Sequence, residues 1–326
     1  MARRSRAPWR LLASTLALTL VLAACGGDDD DGGSASEDTG GGGEELSGTI
    51  RVDGSSTVTP LISLAAEDFQ NENPGVQVPV GTSGTGGGFE KFCNGETDIS
   101  MASRPIKDEE TQACEGNGIE PLELIVANDG LSVVVNPEND WAECLTVEQL
   151  KKVWEPGSTI NNWNQIDPSF PDQALTLYGA GSDSGTFDYF TEAIVGEEGA
   201  TRTDYNPSED DNVTVQGVSG DKGAMGYFGL SYLLENEGSV KGVEIDGGNG
   251  CVAPTVETVQ SGEYTPLSRP LFVYTKPEAA QRPEVKAFLE FYLENQETIT
   301  EEALFVPLTE EQLATAREEL AAIEGA

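Results

Sequence analysis

One device recurs along this chain and limits what it can fold into: a short apolar strand, a turn rich in glycine and hydroxyl residues, then the start of a helix. It occurs at Gly54–Thr57, at Gly81–Gly88 and at Gly181–Thr186 (GSDSGT), and the shorter Ser103-Arg104-Pro105-Ile106 turn is a fourth instance. Between these turns the hydrophobic spacing switches from strand-like to helical. Thr49–Val52 and Val76–Val80 read as strands. Val58–Asn71 (VTPLISLAAEDFQN) reads as a helix that ends before the Asn73-Pro74-Gly75 turn, and a further helix is expected from Phe89. Leu122–Ala127 and Leu131–Val135 read as two strands, Leu145–Val153 as a helix, Leu175–Gly179 as a strand and Phe187–Ile194 as a helix. Glu284–Gln296 and Thr309–Ile323 have the spacing of amphipathic helices. Such alternation predicts an α/β fold with mainly parallel sheets.

The turns are where chemistry is expected. A helix start presents unpaired backbone N–H groups and roughly half a positive charge. Glycine lets the backbone approach a ligand closely, and Ser or Thr adds a hydroxyl while capping the helix. A single turn of this kind is only a helix cap. Several in one chain predict a converging oxyanion site.

Composition removes most rivals. The 326 residues include 57 acidic and 18 basic side chains, a net charge of −39, which disfavours nucleic acid as a partner. With no histidine, no imidazole base and no His-ligated metal is available. There is no G-x-x-x-x-G-K-[ST], and the glycines at 84, 86, 87 and 88 do not form G-x-G-x-x-G. Gly181-Ser182-Asp183-Ser184-Gly185 is G-x-x-S-G rather than a G-x-S-x-G nucleophile elbow. A binding protein with no catalytic residue, metal or cofactor is therefore expected.

The first 24 residues read as a removable leader. Met1–Arg10 is basic, Leu11–Ala24 (LLASTLALTLVLAA) is apolar and too short for a comfortable membrane span, and Leu22-Ala23-Ala24-Cys25 has the form of a bacterial lipobox. Cys25 is the expected lipidation site. Residues 25–47, dominated by glycine and acids, read as a disordered tether, so the membrane would be touched through the lipid alone. Export leaves Cys93, Cys114, Cys144 and Cys251 in an oxidising compartment, where three pairings are open. No C-x-x-C spacing supports a metal site instead.

In order and spacing, several motifs together resemble the phosphate-binding protein of bacterial high-affinity phosphate ABC transporters, the PstS type. They are Val52-Asp53-Gly54-Ser55-Ser56-Thr57-Val58-Thr59-Pro60, Gly84-Thr85-Gly86-Gly87-Gly88, Ala102-Ser103-Arg104-Pro105-Ile106, Asp183-Ser184-Gly185-Thr186 and Gly223-Ala224-Met225-Gly226-Tyr227. The likeness runs from about Ser47 to the C-terminus. It implies a type II periplasmic-binding-protein fold, with two α/β lobes closing on inorganic phosphate. It also implies a lipid-anchored monomer on the outer face of the cell membrane that serves a permease. Another tetrahedral oxyanion (sulfate or molybdate) is the alternative ligand, and an envelope phosphomonoesterase using Ser184 the alternative activity.

The resemblance assigns phosphate contacts to Ser55, Ser56, Thr57 and Thr85 on one side, and to Ser184, Gly185 and Thr186 on the other. Two departures from the family pattern direct attention to other residues. Ser103 stands where the best-known members have a carboxylate, and Ala180 where their binding arginine precedes the Ser-Gly-Thr turn. Arg104 is the expected replacement cation. Asp183 is the expected acceptor for the phosphate proton, with Asp53 and Asp188 behind it. Lobe one is expected over 48–128 plus 267–326 and lobe two over 129–266, crossing near Asn128-Asp129-Gly130 and Thr265-Pro266. Pairing Cys93 with Cys114 and Cys144 with Cys251 keeps each bridge inside one lobe.

Overall fold

The computed structural model describes residues 45–182 and 184–324. Its backbone is a mixed sheet of eight strands: β1 (Val52–Gly54), β2 (Ile99–Ala102), β3 (Leu122–Val135), β4 (Thr176–Ala180), β5 (Asn206–Ser208), β6 (Ala224–Gly229), β7 (Lys241–Gly242) and β8 (Ser268–Thr275). They lie in the order β1-β2-β8-β3-β6-β4-β5, with β7 paired to β3 off that path. The outer pairs β1/β2, β4/β6 and β4/β5 are parallel, as the alternating pattern predicts. The centre is not: β8 runs antiparallel to both β2 and β3, and β3 antiparallel to β6. The expectation of mainly parallel sheets fails there because β8 arrives from the far end of the chain and inserts between two earlier strands.

Two readings of local sequence are corrected. Leu122–Ala127 and Leu131–Val135 form one strand, because β8 supplies a ladder across the polar Asn128-Asp129-Gly130 stretch (Pro270 opposite Asn128, Arg269 opposite Asp129, Ser268 opposite Gly130). The second glycine turn is already helical from Gly84, five residues before the expected start.

The helices that position the site are α1 (Thr59–Glu72), α2 (Gly84–Cys93), α3 (Asp108–Gly116), α4 (Val147–Trp154), α5 (Gly185–Phe190), α6 (Asp211–Gly220), α7 (Pro283–Glu302) and α8 (Glu310–Glu324). Apolar burial divides into two large clusters, giving a two-lobed molecule. One gathers Leu61, Ile62 and Phe69 of α1, Ile99, Val126 and Leu271 of the sheet, and Phe288 and Leu293 of α7. The other gathers Leu131, Val133 and Val135 of β3, Trp154, Phe190, Met225 and Tyr227. Strand β3 thus feeds one core up to Ala127 and the other from Leu131, and the polar triplet lies between them. Fully burying a side chain such as Phe190 contributes about 1.5–3 kcal/mol, so each cluster holds its own half of the strand.

The disulfides are Cys93–Cys114, joining α2 to α3, and Cys144–Cys251, as the sequence reading expected. Their separations of 21 and 107 residues correspond to about 3 and nearly 5 kcal/mol in the chain-entropy model. Among the described residues, Cys144, Glu244 and Cys251 form a candidate cation cluster, but its two sulfurs are bonded to each other and offer no thiolate. No described helix is long and apolar enough to cross a membrane.

Candidate functional site

Strand β1 delivers the first turn. Gly54 has φ +145°, and a Cβ there would lie 2.1 Å from the Met101 carbonyl oxygen of β2, so only glycine permits this packing. The next N–H, on Ser55, donates to that same oxygen at 2.9 Å. Ser55 is buried and fixed, while its carbonyl accepts from the Thr59 N–H and hydroxyl to start α1. Ser56 is half-buried and Thr57 buried, and both line the cleft.

Asp53 builds the second turn. Its Oδ1 accepts from the Ser83 N–H (3.0 Å) and hydroxyl (2.5 Å), and its Oδ2 from Lys91 Nζ at 2.6 Å. Burial alone would raise this carboxyl, but the Lys91 and Ser83 bonds hold it below the ordinary range. These contacts orient the start of α2, where Thr85 Oγ1 accepts from the Ser103 N–H at 3.2 Å and lies 3.1 Å from its hydroxyl. The second turn and the Ser103-Arg104-Pro105-Ile106 turn are therefore fastened together.

Arg104 stands at the same cleft, but its guanidinium fork is already engaged. NH1 and NH2 each donate to a Glu110 oxygen at 2.8 Å, and the group lies 5.7 Å over the Phe89 ring. Its hydrogen bonds to the Glu110 carboxylate raise the arginine above its ordinary value. The turn is braced from below by Tyr274, whose hydroxyl accepts from the Ile106 N–H and donates to Glu123. A surface arginine would lack this scaffolding. The sequence alone did not reveal Glu110.

The opposite wall is α5. Its Ser184 caps the helix, accepting from the Thr186 N–H at 3.2 Å. Phe190 stacks on Tyr227 with ring centroids 3.7 Å apart, anchoring α5 in the core beside β6. Gly185 comes so close to the first turn that a Cβ would lie 2.7 Å from Thr57 Oγ1 and 3.1 Å from Thr57 Cα.

This contact divides the expected site. Ser55, Ser56, Thr57, Thr85, Ser103 and Arg104 line one cleft of about 390 Å³, together with Lys107, Asp188, Glu192 and Arg269. That volume is at the lower end of small-molecule sites, which span roughly 300–1,000 Å³. Ser184, Gly185 and Thr186 line an adjoining cavity of about 210 Å³ with Asp129 and Asp211, and Ser56 and Thr57 border both. Asp183 lies outside the described residues.

Sequence reasoning missed Arg269 and Asp129. Arg269 donates from Nε to Asp129 Oδ2 at 3.2 Å and from NH2 to Thr57 Oγ1 at 3.3 Å, and its guanidinium lies 3.5 Å from the centre of the Tyr189 ring. The available signal was its place three residues beyond the Thr265-Pro266 crossing, in a chain with few arginines. Burial pushes Asp129 above the ordinary carboxylate range, against the pull of Arg269. Asp188 is also raised, first by burial and then by Glu198, with Arg269 opposing. Burial pushes Asp211 up to about 6, reinforced by Asp210 and Glu209.

Comparison with known proteins agrees with this architecture. Residues 39–296 match the family model described as PBP superfamily domain. The chain is 48% identical over 270 residues to Protein SphX of Synechocystis, covering 82% of this chain and 80% of that one. It is 38% identical over 303 residues to the phosphate-binding protein PstS of Staphylococcus saprophyticus, covering 92% and 90%. A crystal structure from Planctomyces limnophilus, described as a possible phosphate binding protein, superimposes with a TM-score of 0.82 at 45% identity, covering 85% of this chain and 99% of that one. Two lobes joined through one sheet, hydroxyl-rich turns at the cleft between them and these similarities place the chain in the periplasmic-binding-protein superfamily, among the PstS-type phosphate-binding proteins.

Proposed function

We propose that the protein is an extracytoplasmic, non-catalytic receptor that binds inorganic phosphate and hands it to the membrane permease of an ABC transporter. The observation that carries this reading is the cleft. Three strand-to-helix turns bring Ser55, Ser56, Thr57, Thr85 and Ser103 to one wall with Arg104, and Arg269 flanks them. Backbone and hydroxyl donors with two guanidinium groups suit a small oxyanion. The family similarity supports the same ligand, through the PstS protein of Staphylococcus saprophyticus.

In this reading Ser184, Gly185 and Thr186 complete the site from the second lobe. Lobe one comprises 48–128 plus 267–326, lobe two 129–266, and each disulfide lies within one of them. Phosphate at neutral pH keeps a proton, whereas sulfate does not. A desolvated carboxylate accepts a hydrogen bond from the first and opposes a lone pair of the second. Asp188 lines the cleft and has a raised carboxyl, which suits it to this acceptor role beside the expected Asp183. Residues 1–24 are the leader, Cys25 carries the lipid, 25–47 form the tether, and the mature protein works as a monomer.

Calorimetry of the mature chain with phosphate, sulfate, arsenate and molybdate tests the ligand. Phosphate should bind with the highest affinity, and tighter binding of sulfate or molybdate would replace phosphate as the ligand. Sustained turnover of a chromogenic phosphate ester would contradict a non-catalytic receptor. Replacing Cys25 by Ser should move the protein from the membrane fraction to the soluble one without changing its fold.

A further inference from the structure

We infer that Arg269 is a ligand-binding residue that couples phosphate binding to the approach of the two lobes. This inference rests on the phosphate-receptor reading. Arg269 lies on β8 directly opposite Asp129 on β3, at the point where both strands leave one core and enter the other: Leu267 and Leu131 belong to one cluster, Leu271 and Ala127 to the other. The two side chains are only 13% and 8% exposed. A buried ion pair generally adds little stability over a well-packed apolar pair, so stability alone does not explain a charged pair at this crossing.

Its contacts explain it better. NH2 reaches Thr57 of the first turn, while the guanidinium face covers Tyr189 of α5, on the opposite wall. Tyr189 is itself held by a 2.8 Å bond from its hydroxyl to the Pro266 carbonyl, in the second crossing segment. One side chain therefore touches both walls and both crossing strands. Arg104 has both terminal nitrogens bonded to Glu110. In Arg269, Nε and NH2 are engaged, and NH1 has no hydrogen-bond partner among the described residues. Arg269 lines the cleft with a donor to spare. An anion there would complete the guanidinium fork while Thr57 and Tyr189 are together, so binding and closure would favour the same arrangement.

The test uses the mature chain as parent, the Arg269→Lys variant and the double variant Arg269→Gln, Asp129→Asn, which avoids leaving Asp129 buried without its partner. Phosphate affinity is read by calorimetry, the change in radius of gyration on adding phosphate by small-angle scattering, and folding by circular dichroism and thermal midpoint. The parent should contract on binding. The folded double variant should bind at least about 30-fold more weakly, the loss typical of a charged partner in a desolvated site, and should contract less at saturating phosphate. Arg269→Lys should restore only part of either, since an ammonium lacks the planar fork. Parent-like affinity and contraction in the double variant would overturn the inference, whatever its thermal midpoint. A parent that fails to bind phosphate would overturn the receptor reading itself, and the inference with it.

Discussion

The two walls of the cleft are built on opposite electrostatics. The first presents Ser55, Ser56, Thr57, Thr85 and Ser103 with Arg104 and Lys107; the second presents Asp188, Glu192 and Glu198 around Tyr189. A protein of net charge −39 can offer an anion site because exposed charges farther than about 8 Å are screened at physiological ionic strength, whereas donors inside a cleft act at contact distance. Local geometry outweighs net charge here. In the phosphate-receptor reading the acidic wall penalises an anion that brings no proton.

The contact between the walls is the most sensitive point of this comparison. Gly185→Val should weaken phosphate binding by up to about 100-fold, because a side chain meets the Thr57 backbone and such overpacking costs roughly 1–3 kcal/mol. Calorimetry reads the loss, and unchanged affinity would mean that the walls need not touch. Next comes the donor wall. Arg104→Ala should lose about 30-fold in affinity, and Arg104→Lys should recover part of it. Because the fork is held by Glu110, Arg104→Ala should also lower the thermal midpoint. A drop in midpoint with parental affinity would assign Arg104 to the scaffold.

The acidic wall should respond more mildly. Asp188→Asn should narrow the ratio of phosphate to sulfate affinity by about tenfold, measured by titrating both anions, as the penalty on an unprotonated anion falls. An unchanged ratio would remove this wall from selectivity. The smallest effect concerns stability. Asp211 is raised from 3.8 to about 6, so the folded state holds its proton more tightly than the unfolded chain. That contribution is complete below pH about 4 and is lost as pH rises through about 6. Asp211→Asn should therefore melt a few degrees higher than the parent at pH 7.5, and the gap should close by pH 4.

What was legible beforehand is what local sequence controls. Gly54, Ser56, Thr57 and Thr85 sit in turns whose glycines and hydroxyls identify them within a few residues, and α1 and α7 follow from apolar spacing. The disulfide pairing was reachable because each bridge stays near one core. Asn128-Asp129-Gly130 was misread because it has the composition of a turn, and only the β8 ladder, some 140 residues away, makes it strand.

The sequence by itself determined the turns, the helices and the chemistry they could offer, since caps, glycine conformations and helical periodicity depend on neighbours along the chain. Tertiary structure decided the rest. It engaged Arg104 with Glu110, turned Asp53 into a brace, divided the expected site at the Gly185–Thr57 contact, and brought Arg269 to Asp129, Thr57 and Tyr189. The physical reason is that a charged group's role depends on which donors and acceptors surround it. Those surroundings come from strands and helices far apart in sequence, brought together by burial of their apolar faces.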